Sequence, residues 1–150
     1  GTLLGMDTDA SLAQVLDLLR GPLRPDLLLA TGDLANHGSE AAYVRVRESF
    51  DALGLPWFWL PGNHDAGPLM HGVIGRGRPM IRCVCVGAWQ IVMLDSTVAG
   101  QVGGSLGAAE LALLDRLLAA IGNRVTPLVE LGHGLLRIAT SAHPASAATK

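Results

Sequence analysis

"PWFWLPGNHDAG", residues 56–67, decides how the rest of the sequence is read. Bulky apolar residues run up to Pro61-Gly62, and an amide, an imidazole and a carboxylate follow without a spacer: Asn63, His64 and Asp65. The apolar run predicts a buried strand over 55–60. Proline then glycine predicts a sharp turn at its end. Three polar side chains are thus delivered to the carboxyl end of a strand, where open α/β sheets place their ligands.

A similar unit stands upstream. "DLLLAT", residues 26–31, is a short continuous apolar run, as expected of a strand covered on both faces, and "GDLANHG" follows it as a loop. Between the two strands, Ser39 can cap a helix with Tyr43, Val46, Phe50 and Leu53 on one face, which Gly54 ends. Before them, residues 9–20 carry Leu12, Val15, Leu16 and Leu19 at helical spacing, with Asp7, Thr8 or Asp9 as the cap. Downstream, 66–79 is rich in Gly, Pro and Arg and reads as a loop or a short irregular segment. "IRCVCV" and "WQIVMLD" read as a hairpin around Gly87-Ala88, and "STVAGQVGGS" as a flexible loop. A leucine-rich helix is predicted from Ser105 to Ile121 and a last strand over "TPLVEL". This alternation predicts an α/β fold with a largely parallel central sheet, built as one domain over 1–150. Residues 135–150 form a divergent tail that is expected to fray.

Composition bounds the function. The 150 residues are 49% hydrophobic and 16% charged, enough for a real core. The net charge of −2 and the lack of a basic tract argue against a nucleic-acid surface. No apolar run is long enough to span a bilayer, and no signal peptide stands at the start. Cys83 and Cys85, the only two cysteines, would share one face of a strand and are expected to be a buried, reduced pair. These features together suggest a cytoplasmic protein.

Four predicted strand ends carry polar groups: Asp33, Asn63-His64-Asp65, Asp95 and His133. Oxygen and nitrogen donors without thiolate suit hard or borderline divalent metals. Taken singly, Asp33 is a helix or turn cap and Asn63 ordinary turn chemistry, while His37, His71 and His143 read as polar surface residues or satisfied core groups. Arg76 and Arg78 read as part of a solvated loop. The pairing of "GD" after one buried strand with "GNHD" after the next is the specific signal.

On those residues the chain resembles the calcineurin-like metallophosphoesterases. "TGDL" and "PGNHD", with "GTLLGMDTDASLAQVL" and "LDSTVAGQVGGSLGAAELALLDRLLA", are similar to the bacterial cyclic-nucleotide phosphodiesterase branch, cyclic AMP included. The resemblance runs over about residues 1–131. It implies a layered metallophosphoesterase sandwich and two divalent ions (Mn, Fe, Zn or Mg). It implies Asp33 as a bridging metal ligand, Asn63 as a ligand of the second metal, and His133 as a substitute ligand. His64 would stabilise charge on the phosphoryl group or protonate the leaving oxygen, with Asn63 beside it at the substrate. Asp65 would hydrogen-bond His64 and set its tautomer. The implied reaction is attack by a metal-activated water on a small phosphodiester, and family members often form homodimers.

Three parts of the family pattern are absent: a first strand ending in Asp-x-His, the first residue of a His-His pair (Gly132 stands there), and a Gly-His-x-His segment. The expectation is therefore a truncated or rearranged piece of a phosphodiesterase. The alternative is an inactive family member kept as a binding module. "VGGSLG" before a helix suggests a phosphate loop, but it lacks the GxGxxG spacing and the Walker lysine.

Overall fold

A computed structural model describes residues 1–22, 24–74, 80–87 and 89–120, and the backbone of 126–131. His133, Arg76, Arg78, His143 and the 135–150 tail lie outside the described residues.

Two-residue strands β1 (Thr2–Leu3) and β2 (Met6–Asp7) pair antiparallel at the start. Helix α1 (Thr8–Leu18) follows, capped by Asp7, whose carboxylate accepts from the amides of Asp9 (3.0 Å) and Ala10 (3.2 Å). Strand β3 (Leu28–Ala30) leads to α2 (Glu40–Asp51), whose cap Ser39 accepts from Ala42 N at 3.2 Å. Strand β4 (Trp57–Trp59) pairs parallel with β3, Leu28 against Trp57 and Ala30 against Trp59. Helix α3 (Gly67–Ile74) comes next. Strands β5 (Cys83–Val86) and β6 (Trp89–Leu94) form the expected hairpin, helix α4 (Ala108–Ala120) follows, and β7 (Thr126–Leu131) lies parallel to β6.

Residue alternation explains the layers. Leu28, Ala30, Trp57 and Trp59 pack with Leu16 of α1, with Tyr43, Val46 and Phe50 of α2, and with Met70 and Val73 of α3. The rings stack edge to face there, Phe50 on Trp57 at 5.5 Å and Trp57 on Trp59 at 5.1 Å. The intervening residues, Leu27, Leu29, Phe58 and Leu60, join Ile91, Met93 and Val84 in a second cluster between the two sheets. Val92 and Leu94 face the other way, onto Leu113, Leu114 and Leu117 of α4. The order is helix, sheet, sheet, helix, the α/β layering that the sequence implies.

Three expectations are corrected. No single central sheet forms among the described strands. They make a parallel pair, a mixed three-stranded sheet and the small β1–β2 ribbon. Strands 28–30 and 57–59 are apolar on both faces because helices cover one face and a second sheet the other. Residues 67–74 are helical rather than a loop. Met70 and Val73 dock that turn-rich segment into the core, and tertiary burial overrides the weak local propensity. Cys83 is half-buried and Cys85 exposed, because β5 is the outer strand of its sheet. No helix among the described residues is long and apolar enough to cross a membrane.

Candidate functional site

The ends of β3 and β4 are adjacent because the strands are parallel and in register. Leu60 N donates to Ala30 O at 2.9 Å, so pairing continues one residue past β4 and both chains then turn away together. Gly62 makes this possible. A Cβ on it would lie 2.2 Å from Asp33 Oδ1 and 2.4 Å from Asp33 N, so only glycine fits. Asp33 itself has φ +54, the left-handed region that non-glycine residues seldom adopt. Its Oδ1 accepts from His64 N at 3.2 Å. A strained carboxylate is therefore pressed against the backbone of the "GNHD" turn, and such strain concentrates at functional sites.

Asp65 is the hub of the turn. Its Oδ2 accepts from Gly62 N (2.9 Å) and Leu34 N (3.1 Å). Its Oδ1 accepts from Ala35 N (3.0 Å) and from the hydroxyl of Tyr43 (3.0 Å). The Tyr43 hydroxyl in turn accepts from Ala66 N at 2.7 Å. Burial pushes the Tyr43 phenol up to about 12, and the Asp65 charge adds to this, while the Ala66 amide pulls the other way. Gly38 belongs to the same knot, because a Cβ there would lie 2.8 Å from Ala66 Cβ and 3.1 Å from the Tyr43 hydroxyl. The expected hydrogen bond from Asp65 to His64 is thus corrected. The carboxylate is engaged by three backbone amides and a phenol. His64 Nδ1 instead lies 3.3 Å from the carbonyl oxygen of Asn36. A carbonyl oxygen only accepts, so that contact requires the proton on Nδ1 and leaves Nε2 for other partners.

Asn63 is half-buried, and its Oδ1 is buried without a hydrogen-bond partner among the described residues. An orphaned acceptor of this kind costs about 1–3 kcal/mol unless something satisfies it. A cation would. Asp33 and Asn63 therefore fit the donor roles that the family resemblance gives them. A group of three or more His, Cys, Asp or Glu side chains able to hold a metal ion is not found among the described residues.

A cleft of about 920 Å³ opens beside these residues, between the 33–39 loop, α2 and the chain's first turns. Asp33, His64, Asn36, His37 and Arg45 line it. Asp95 does not. Its Oδ1 accepts from the amide (2.9 Å) and hydroxyl (2.7 Å) of Thr97, which makes it a turn cap. Sequence reasoning missed Tyr43 as part of the site and placed it only on the apolar face of a helix. A tyrosine at a core position was the available signal, since a buried hydroxyl needs partners. The Asn36 carbonyl gave no signal, because backbone acceptors have no sequence signature.

Comparison with known proteins accords with this geometry. The chain is 40% identical over 136 residues to the 3',5'-cyclic adenosine monophosphate phosphodiesterase CpdA of Escherichia coli K12, covering 89% of this chain and 50% of the relative. It is 40% identical over 123 residues to the phosphodiesterase of the same name from Pseudomonas aeruginosa, covering 81% of this chain and 45% of that one. It is 35% identical over 143 residues to the 3',5'-cyclic-nucleotide phosphodiesterase alr5338 of a Nostoc species, covering 91% and 52%. The chain spans about half the length of these relatives. The family model described as calcineurin-like phosphoesterase matches residues 5–128, which includes the Asp33 loop, the Asn63–Asp65 turn and strands β3 to β6, and the chain belongs to that family.

Proposed function

We propose that the protein takes part in metal-dependent hydrolysis of a phosphodiester, with a 3',5'-cyclic nucleotide as substrate. One observation carries the reading. The left-handed Asp33 carboxylate is wedged against Gly62 next to the orphaned, buried Asn63 Oδ1. The Asp33 carboxylate also holds the His64 amide, and both features suit a cation. The relatives' names support the substrate class.

In this reading Asp33 and Asn63 hold divalent cations, with His133, two residues past β7, as a further ligand. Manganese, iron, zinc or magnesium would serve. Bound there, such ions supply Lewis acidity and lower the pKa of water. His64, with Nδ1 committed to Asn36, presents Nε2 to the phosphoryl group or its leaving oxygen. Asp65 acts through the backbone, holding the 33–35 and 62–65 segments in register. Cytoplasmic location and a homodimer belong to the same proposal.

The absence of a three-residue metal cluster among the described residues favours a second reading, a binding module without turnover. Metal titration with thermal melting separates the two. At 100-fold excess over Kd, a bound metal stabilises by about 2.7 kcal/mol. For a chain of this size that is a rise in Tm of about 5–10 °C. The rise, with metal-dependent hydrolysis of cyclic AMP, supports the proposal. A flat melt with all four metals leaves the binding module.

A further inference from the structure

His37 reads in the sequence as a polar surface residue or a satisfied core group, and in the structure it is exposed at the rim of the cleft. Its Nδ1 lies 2.6 Å from the carbonyl oxygen of Asn36, the same atom that His64 Nδ1 approaches at 3.3 Å. A carbonyl oxygen carries two lone pairs and no proton, so it can accept from both rings at once. Both contacts require Nδ1–H. Both imidazoles are thereby set in one tautomer, with Nε2 left for other partners, and both line the cleft beside Asp33 and Arg45.

The loop that carries His37 is pinned at both ends. Ala35 N donates to Asp65 on one side. On the other, Gly38 packs so tightly against Ala66 and the Tyr43 hydroxyl that no side chain fits. His37 is thus presented from a braced backbone, as a ligand-contacting group requires.

We propose that His37 is a second phosphoryl-contacting residue, acting beside His64 through its Nε2. This rests on the reading of the cleft as a phosphoester site and deepens it, since the anion would meet two imidazoles held by one shared acceptor. Each would give it a charge-assisted hydrogen bond, which is shorter and stronger than a neutral one.

The test is long-range ¹H–¹⁵N correlation spectroscopy of the imidazoles in the ¹⁵N-labelled chain, titrated with inorganic phosphate. His71, on α3 outside the cleft, is the internal reference. The expected result is that the Nε2 signals of His37 and His64 shift along one saturation curve while those of His71 stay still. His37→Ala and His37→Gln should each raise the phosphate Kd about threefold to tenfold, the factor for one partly solvated charge-assisted bond. The His64 response should persist in both variants. If His64 shifts alone and both variants bind phosphate as the wild type does, the role of His37 is refuted and the phosphoester reading stands. If neither ring responds up to tens of millimolar phosphate, both are refuted.

Discussion

Asparagine at position 65 is nearly the same size and shape as aspartate, and it should still cripple the fold. Two donors meet each carboxylate oxygen: Ala35 N and the Tyr43 hydroxyl at Oδ1, Leu34 N and Gly62 N at Oδ2. An amide offers one acceptor oxygen and one NH₂. Whichever way it turns, two of the four bonds donated to the carboxylate are lost. Hydrogen bonds to an ionised acceptor are worth about 1.5–3 kcal/mol each, so losing two costs about 3–6 kcal/mol. Domains typically have about 5–15 kcal/mol to lose. The assay is urea unfolding followed by tryptophan fluorescence, with Trp57 and Trp59 in the core next to this turn. With a slope of about 2 kcal/mol per molar, the midpoint should fall by about 2 M at unchanged slope. A fall below about 0.5 M would refute the account of Asp65 as the clamp between the two loops. Adding Tyr43→Phe closes a double-mutant cycle. Because the two side chains share a hydrogen bond, the effects should fall short of additivity by about 0.5–3 kcal/mol.

Further outcomes follow from the same contacts. Tyr43 is raised to about 12 in the folded chain, above its ordinary 10.0. Its contribution to stability is therefore complete below the unfolded value and is lost as pH rises between the two; denaturation midpoints should fall over that window, and Tyr43→Phe should flatten that part of the profile. Gly62→Ala places a methyl 2.2 Å from Asp33 Oδ1 and 2.4 Å from its backbone nitrogen, so thermal melting should show a loss of about 3 kcal/mol or more. Asp33→Asn tolerates the left-handed backbone and keeps an acceptor for His64 N. It should melt within about 0.5 kcal/mol of wild type and lose the rise in Tm with metal. Glu110, in the first turn of α4, pairs with Arg82 and accepts from Asp95 N at 3.0 Å. Glu110→Ala should cost about 1–3 kcal/mol by chemical denaturation.

The secondary elements were legible wherever one physical pattern dominated. The leucine stripe of α4, the cap Ser39 and the strand over 126–131 came directly from periodicity and turn chemistry, while the α1 cap was narrowed only to Asp7, Thr8 or Asp9. The layering did not. A strand apolar on both faces reads the same whether helices or a second sheet cover it, so Phe58 and Leu60 could not reveal that Ile91 and Met93 would be their partners. Residues 67–74 read as a loop because glycine and proline open the segment, and only the docking of Met70 and Val73 makes it helical. At the site, the strand-end motif made legible that Asp33 and the Asn63–Asp65 turn come together at neighbouring strand ends. The engagement of Asp65 was not, since three of its four partners are backbone amides.

The clamp formed by Asp65 changes what the "GNHD" signature means when it is met in other sequences. Its last residue serves folding, its histidine lines the cleft and the Asn63 Oδ1 is buried without a partner, so the letters answer to different pressures. A descendant that gave up hydrolysis would still be held to glycine at position 62 and aspartate at 65, because losing either undoes the junction between the two strands. Drift would first reach Asn63, His64 and Asp33, whose replacement leaves the scaffold standing. Among diverged copies, an intact G–x–x–D frame therefore marks a foldable chain, and the residues inside the frame, together with the carboxylate of the preceding strand, mark a working one.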